Sequence, residues 1–525
     1  MSEVSVFYKS IVYVHLAVCL TLAVYGIHRY SLVYLYYKYR RNNPRKTACF
    51  LERPRVTIQL PMFNEKYVAR RVIEAACRIE YPRDRLEIQV LDDSTDETVD
   101  IARETCERMR AQGHPVVFLH RENREGYKAG ALAEGLRRAT GEYILIFDAD
   151  FIPPPDVLEQ MVDHFVDPKV GMVQARWEHL NRDQSLLTKT QAILLDGHFV
   201  IEHAARNRSG RFMSFNGTAG MWRKSCIEAA GGWQHDTLTE DLDLSYRAQL
   251  AGWKFLYLPE FTAPAEIPPE MNAFKSQQHR WAKGGAQTCR KLLPRILGSR
   301  LPWRIKVEAF FHLTSWVSYL LILILTLLLL PALYLKTHIF ADNVVLRAMF
   351  DVSLVLIATC SASTFYVASQ REVFRTWAES LKYLPFLMSL GVGVSINNVR
   401  AVFEGLFGKP GEFVRTPKFG VDGNASESKP VVGAENVSRR SRLRVDAKHL
   451  QAWCELAMGL YMASCVAYTV YKKMWIGLFF MTLFTIGYLY VAGLSFYGFR
   501  VARRAATTES SALDTAGLTP ATKTA

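Results

Sequence analysis

What this 525-residue chain lacks narrows its possible classes before any motif is read. Its nine cysteines, at positions 19, 49, 77, 106, 226, 289, 360, 454 and 465, form no CxxC pair. That excludes a paired-cysteine framework and leaves reduced thiols in cytosol or lipid. The net charge of +14 comes without a basic helix or RNA-binding signature, so nucleic acid is not an expected partner. No internal repeat is visible. No small-residue cleavage site follows the first apolar run, which therefore reads as an anchor and not as a removed signal peptide.

What is present is a mixture. Half of the residues are hydrophobic while the mean hydropathy is only +0.01, the composition of apolar spans beside an ordinary soluble domain. A bilayer core takes about 20 mostly apolar residues per helix. Residues 11–27, 309–335, 348–368, 453–471 and 475–496 qualify. Lys38, Arg40, Arg41, Arg45 and Lys46 follow the first run, and Arg500, Arg503 and Arg504 follow the last. The positive-inside rule puts both flanks in the cytoplasm. Residues 381–407 begin apolar, are broken by Lys382, Pro385, Gly391 and Gly393, and then carry Asn397, Asn398, Arg400 and Glu404. We read them as an amphipathic helix lying in the interface. Five spans result, with the N-terminus outside, in a plasma or inner membrane or, in a eukaryote, the Golgi. Residues 420–448 read as a mobile polar linker and the tail from 505 as disordered. Asn424 and Asn436 head glycosylation sequons that face the cytosol on this topology and stay bare.

Between the first two spans, short apolar runs at 56–60, 88–91, 116–119, 143–147 and 171–174 alternate with helical stretches such as 67–80 and 97–112. This predicts a mostly parallel sheet covered on both faces, with ligands at the carboxyl ends of its strands. Asp92-Asp93-Ser94 follows one strand and Asp148-Ala149-Asp150 another, both on that edge. On an extended segment, residues two apart point the same way, so Asp148 and Asp150 can share one hard cation, Mg2+ or Mn2+. Ser94 or a neighbour can cap the helix that follows it. Thr239-Glu240-Asp241 can likewise open the helical pattern at 242–250, its acids favoured by the helix dipole. Gln277, Arg280 and Trp281 supply an amide for hydroxyls, a planar cation for a diphosphate, and an indole for the C–H face of a sugar.

In this order, bracketed by membrane segments, Asp92-Asp93, Asp148-Ala149-Asp150, Thr239-Glu240-Asp241 and Gln277-Gln278-His279-Arg280-Trp281 resemble the D, DxD, TED, QxxRW pattern of processive family 2 glycosyltransferases. The runs QLPMFNE, VLDDSTD, DADF and QQHRW are similar to cellulose synthase-like mannan and glucan synthases, over roughly residues 53–418 and the trailing hairpin. The resemblance implies α/β plus membrane α: a GT-A (Rossmann-like) glycosyltransferase domain inserted between transmembrane helices. It implies an inverting, metal-dependent hexosyltransferase that builds a β-linked glucan or mannan, expected as β-1,4, from a UDP-sugar or GDP-sugar. The polysaccharide acceptor then crosses the lipid bilayer.

Carried over residue by residue, the resemblance makes Asp241 the catalytic base beside Glu240. It gives the nucleotide-sugar to Glu65, Asp92, Asp93, Lys128, Asp148 and Arg280, with Asp93 the preferred contact, and the metal to Asp148 and Asp150. Asn216, Gly217, Gln277 and Trp281 would line the acceptor's path. Phe413, Thr416 and Lys418 fall in a stretch similar in placement to a cellulose synthase gating loop, although Arg415 and Pro417 depart from that loop's pattern. Lys128 can equally be an ordinary solvated lysine. Nothing resembles the cyclic-dinucleotide-binding barrel of bacterial cellulose synthases.

The expected order is an anchor and basic flank (1–52), the transferase domain (53–301), a transmembrane hairpin (302–370), interfacial helix, gating loop and linker (371–448), a second hairpin (449–500) and a disordered tail (501–525). The rival enzyme is a non-processive transferase that glycosylates a membrane lipid, as in ceramide glucosylation; product length separates the two. A non-catalytic transporter subunit is disfavoured by the intact acidic set. Donor sugar and oligomeric state are not legible.

Overall fold

The structure is a computed structural model that describes residues 2–339, 344–408, 418, 420, 439–473, 475 and 478–515. β-branched and apolar runs pair as β1 (Val56–Met62), β2 (Leu86–Asp92), β3 (Val116–His120) and β4 (Tyr143–Ile146), all parallel. Then β5 (Val170–His179), β6 (Gly220–Arg223) and β7 (Lys254–Ala265) complete a seven-stranded sheet in the order β3-β2-β1-β4-β6-β5-β7. β6 runs antiparallel to both its neighbours, while β5 and β7 are parallel. The carboxyl ends of β1, β2, β4 and β5 therefore open on one edge.

Both faces are covered, which is why β1 is buried along its whole length. On one face, Val72 and Ile73 of the helix Ala69–Cys77 and Ala102 and Cys106 of the helix Thr98–Ala111 pack on Ile58, Leu60, Ile88 and Val90. On the other, Leu132 and Leu136 of the helix Tyr127–Arg138 and Leu244 and Ala248 of the helix Glu240–Leu250 join Ile144, Ile146 and Trp222. Burying such side chains contributes about 1.5–3 kcal/mol each relative to exposure.

Each of the expected strands is present, the fourth shorter by its last residue and the others longer at one or both ends. β6 and β7 were not foreseen. β7 carries Pro259 and Pro264, and its pairing with β5 jumps from Leu258 to Thr262, so the strand is bulged where proline cannot donate.

The membrane-type helices differ from expectation in detail. Among the described residues, two helices are long and apolar enough to cross a bilayer, within Lys9–Lys38 and Leu478–Arg504, and up to four if two bent pairs each count as one. The expected run at 309–335 is one such pair, Trp303–Leu313 and Val317–Ala332, bent by 54°. The other is the segment read as one interfacial helix, which is instead Trp377–Gly393 and Ser395–Phe407 at 44°. Its first arm is seated on the C-terminal helix, so close that a Cβ at Gly393 would lie 2.4 Å from the Gly487 carbonyl oxygen. Its second arm packs Ala401 and Val402 against Ala282 of the helix Met271–Gly298. The last two helices also overrun their expected limits: Arg439–Tyr471 begins inside the expected linker, and Leu478–Thr515 continues into the expected disordered tail. Asn424 and Asn436 lie outside the described residues.

Candidate active site

The site begins where β1 and β2 leave the sheet. Asn64 adopts a left-handed φ of 53°, and its N–H donates to Ser94 Oγ at 2.8 Å while its Oδ1 accepts from the Thr95 N–H at 2.8 Å. Ser94 thus ties two loops together and does not cap the next helix; Asp96 takes the Thr98 N–H at 2.9 Å. The two adjacent aspartates then part company. Asp92 is fully buried, bonded to His120 Nδ1 at 2.7 Å and to the Ser94 N–H at 3.2 Å, and does not reach the cleft. The nucleotide contact expected of it is corrected accordingly: side chains alternate along the strand, so only one of the pair can face the ligand. Asp93 faces it, gripped by Arg121 through Nε at 2.7 Å and a terminal nitrogen at 2.5 Å. That bidentate geometry fixes the carboxylate's orientation.

At the end of β4, the Asp148 N–H donates to Thr218 Oγ1 at 2.8 Å, and Lys128 Nζ donates to Asp148 Oδ1 at 2.5 Å and to the Gly217 carbonyl at 2.8 Å. Burial alone would depress the Lys128 ammonium, but Asp148, Glu240 and Asp241 hold it above its usual value. Lys128 is therefore no solvated surface lysine. Asp150 Oδ1 accepts from Lys418 at 2.8 Å, and the same ammonium lies 3.1 Å from Glu65 Oε1. Phe413 and Thr416 lie outside the described residues.

The helix Glu240–Leu250 presents its first turn to this cleft. Thr239 makes no cap bond; its side chain packs on Gly284 of the helix Met271–Gly298, and its hydroxyl meets Thr288 Oγ1 at 3.1 Å. The Leu238 N–H donates to Gln287 Oε1 at 2.9 Å. Two motifs far apart in sequence are thereby clamped together. Asp241 Oδ1 accepts the Leu242 N–H at 2.8 Å. Gly217, at φ 81°, passes so near that a Cβ there would lie 3.1 Å from Asp241 Oδ2. Burial, then the neighbouring Glu240, pushes the Asp241 carboxyl up to about 7, against the Leu242 N–H, Lys128 and Arg280. Burial likewise raises Glu240. Arg280 is depressed by burial while Glu240, Asp148, Asp241 and Asp150 support its charge. A shifted acid among compensating cations in a cleft is the electrostatic mark of a reactive site.

One cleft gathers Glu65, Asp93, Lys128, Asp148, Asp150, Asn216, Gly217, Glu240, Asp241, Gln277, Arg280, Trp281 and Lys418. Trp281 and Trp177 both pack against the cluster of Leu195, Phe199 and Ile267. Asn216 is held by His203, whose Nε2 lies 2.9 Å from its Oδ1. Residues that motif reading missed include Arg121, Arg124, Trp177 and His179. Arg124 stacks 3.4 Å above Phe63, and the last three line the cleft. The register of β2 and β3 pairs Asp92 with His120 and so brings Arg121 to Asp93, a signal available once the strands were aligned.

A parallel sheet with an antiparallel insertion, acids at its strand ends and a QxxRW helix beside them defines a glycosyltransferase of the GT-A fold. The model of a glycosyltransferase like family 2 matches residues 54–284. Glucomannan 4-beta-mannosyltransferase 7 of Arabidopsis thaliana is 36% identical over 459 residues, 85% of this chain and 77% of that protein. A probable glucomannan 4-beta-mannosyltransferase 10 of the same plant is 34% identical, covering 93% and 86%. A mannosyltransferase from Pyrobaculum calidifontis, solved with GDP-Man and Mn2+, overlays with a TM-score of 0.49 at 20% identity, covering 75% of this chain and 99% of that one. The chain belongs to the family 2 glycosyltransferases, on their cellulose synthase-like branch, and is a hexosyltransferase enzyme.

Proposed function

We propose that this enzyme is an inverting, processive synthase that polymerises a hexose from a GDP-sugar or UDP-sugar into a β-1,4-linked mannan or glucan and passes it across the membrane. The observation that carries the reading is the convergence of Asp93, Asp148, Asp150, Asp241, Arg280 and Trp281 on one cleft, whose Arg280–Trp281 helix packs through Ala282 on the membrane-type segment Ser395–Phe407. The names of the mannosyltransferase relatives support the polymer class.

Asp93 and Glu65 would hold the nucleoside, and Asn216, Gly217, Gln277 and Trp281 the acceptor chain. Asp241 would take the proton of the acceptor hydroxyl, whose oxygen attacks the anomeric carbon opposite the departing diphosphate. A carboxylate with a pKa of about 7 is matched to that task at neutral pH. Lys128 and Arg280 would stabilise the negative charge that gathers on the leaving group.

Asp148 and Asp150 fit a hard divalent cation, Mg2+ or Mn2+: both carboxylates line the cleft, part-exposed at 28% and 18%. Among the described residues no group of three or more acidic, histidine or cysteine side chains is placed to hold a metal ion, so diphosphate oxygens and water would complete the shell. When bound, the ion would neutralise charge on the nucleoside diphosphate.

Topologically, we place the transferase domain in the cytoplasm, with five spans and the N-terminus outside, from the basic flanks at Lys38–Lys46 and Arg500–Arg504. A cysteine introduced near Lys418 should react only after the inner face is opened. Labelling of sealed cells from outside would refute this arrangement.

The deciding experiment incubates enzyme-bearing membranes with labelled GDP- and UDP-sugars and digests the product with linkage-specific glycanases. Long chains cut by a β-1,4-mannanase or glucanase support the proposal. A single sugar on an extractable lipid would replace it with the glycolipid reading.

A further inference from the structure

The carboxyl end of β5 enters the cleft with two side chains that no motif predicts. Trp177 and His179 are two residues apart on an extended strand and share a face. Both line the cleft, and Trp177 packs against the same apolar cluster as Trp281. Phe151 edges the Trp177 ring at 5.3 Å and Phe199 lies 4.8 Å away, so the indole is held in one orientation.

His179 is only 8% exposed, yet among the described residues neither of its ring nitrogens has a hydrogen-bond partner. The Trp177 Nε1–H and the Asn216 amide nitrogen are likewise unpartnered. Buried polar atoms left this way are rare, because each forgoes the water it bonded before folding. Four such atoms, on three side chains, border this one cleft. The charged groups near His179 are Asp196, Arg182, Glu178 and Arg176, and Asp196 is already taken by Arg182 at 2.7 Å and Gln370 at 2.8 Å.

Chemistry selects the missing partner. Burial pushes the His179 imidazole down to about 4, so it is neutral at physiological pH. A neutral imidazole offers one donor and one acceptor, the complement of a hydroxyl group, whereas a phosphate calls for a cation. Of the cations of this cleft, Lys128 and Lys418 pair with Asp148 and Asp150, Arg280 lies among Glu240, Asp148, Asp241 and Asp150, and Arg124 stacks on Phe63.

We propose that His179 and the indole N–H of Trp177 bind a hydroxyl of the hexose seated against Trp281, and that this pair determines which hexose the cleft accepts. The inference rests on the synthase reading above. The hexose comes either from the donor or from the end of the acceptor chain, and the two are separable.

The test pairs enzyme variants with deoxy sugars. His179→Phe keeps a ring of similar bulk and removes both nitrogens; His179→Gln restores a donor and an acceptor. With wild-type enzyme, deleting the recognised hydroxyl should lower kcat/KM about tenfold, the worth of one ordinary hydrogen bond. His179→Phe should lose a similar factor on the full sugar and show no further loss on that deoxy analogue, and His179→Gln should recover part of it. Binding of the nucleoside diphosphate alone should be unchanged in both variants, which also reports correct folding. Coupling seen with deoxy donors assigns the donor hexose; coupling seen with deoxy oligosaccharide acceptors assigns the acceptor. Full discrimination retained by both variants across both panels overturns the proposal, as does a matching loss of nucleoside diphosphate affinity. If wild-type enzyme transfers no hexose, the synthase reading has failed first, before any variant is compared.

Discussion

Two buried polar clusters lie on opposite sides of the helix Met271–Gly298, and they are built on opposite principles. On the cleft side, Asp148, Asp150, Glu240 and Asp241 crowd around Arg280 and Lys128, and two of the acids are driven above their usual range. On the other side, Lys275 meets Glu455 at 2.7 Å and the Ser495 hydroxyl at 3.2 Å. Gln451 donates to Glu455 at 2.9 Å and to Asn397 Oδ1 at 3.1 Å, and Asn397 returns a bond to the Lys275 carbonyl at 2.9 Å. Four helices from distant parts of the chain meet there. The first cluster leaves charges in excess, ready for a ligand; the second pairs them. Crowded polarity marks the candidate site, and satisfied polarity marks the joint between the helices.

The largest expected effect would test the first half of that contrast. Asp241→Asn should lower turnover about 10²–10⁴-fold, the usual worth of a positioned base, while membrane insertion stays normal. Retained activity in membranes would remove Asp241 from the chemistry. Next, Asp148→Ala or Asp150→Ala should abolish divalent-dependent turnover, a loss of at least about 10²-fold; an unchanged response to added Mg2+ or Mn2+ would contradict the metal assignment.

The second half of the contrast is tested by stability. Glu455→Leu strands the Lys275 ammonium and should cost about 3–5 kcal/mol, whereas Lys275→Met with Glu455→Leu should be near neutral or stabilising. Thermal unfolding in detergent decides, and equal losses in the single and double variants would show that the pair is not the joint described. The smallest effect is in pH. Asp241 accepts a proton only when ionised, so kcat/KM should climb as pH rises through about 7 and fall roughly tenfold per unit below it. A profile flat from pH 5 to 8 would place the controlling group elsewhere.

The contrast also explains what could be read before the structure. Asp148, Asp150, Asp241 and Trp281 were legible because strand ends, a two-residue repeat and a helix start leave local marks in sequence. Asp92 and Asp93 could not be told apart locally; His120 and Arg121, brought in by β3, decide which one faces the cleft. β6 has only four residues and β7 hides behind two prolines, so neither carried a clean period. Gly391 and Gly393 marked a break before Ser395 in the sequence, but the close approach of Gly393 to Gly487 is encoded by no local pattern. Trp177 and His179 did alternate visibly, but nothing in their own neighbourhood said that both would lack partners.

Thr239 fits against Gly284 with no room for a side chain there, and Gln287 holds the Leu238 N–H one turn further on. The Glu240–Leu250 helix is thus indexed to the same rod that carries Trp281 into the cleft and Lys275 to its other side. An α-helix resists bending along its length, so the turn that carries Asp241, the Trp281 ring and the Lys275 joint are held in one frame and cannot shift independently.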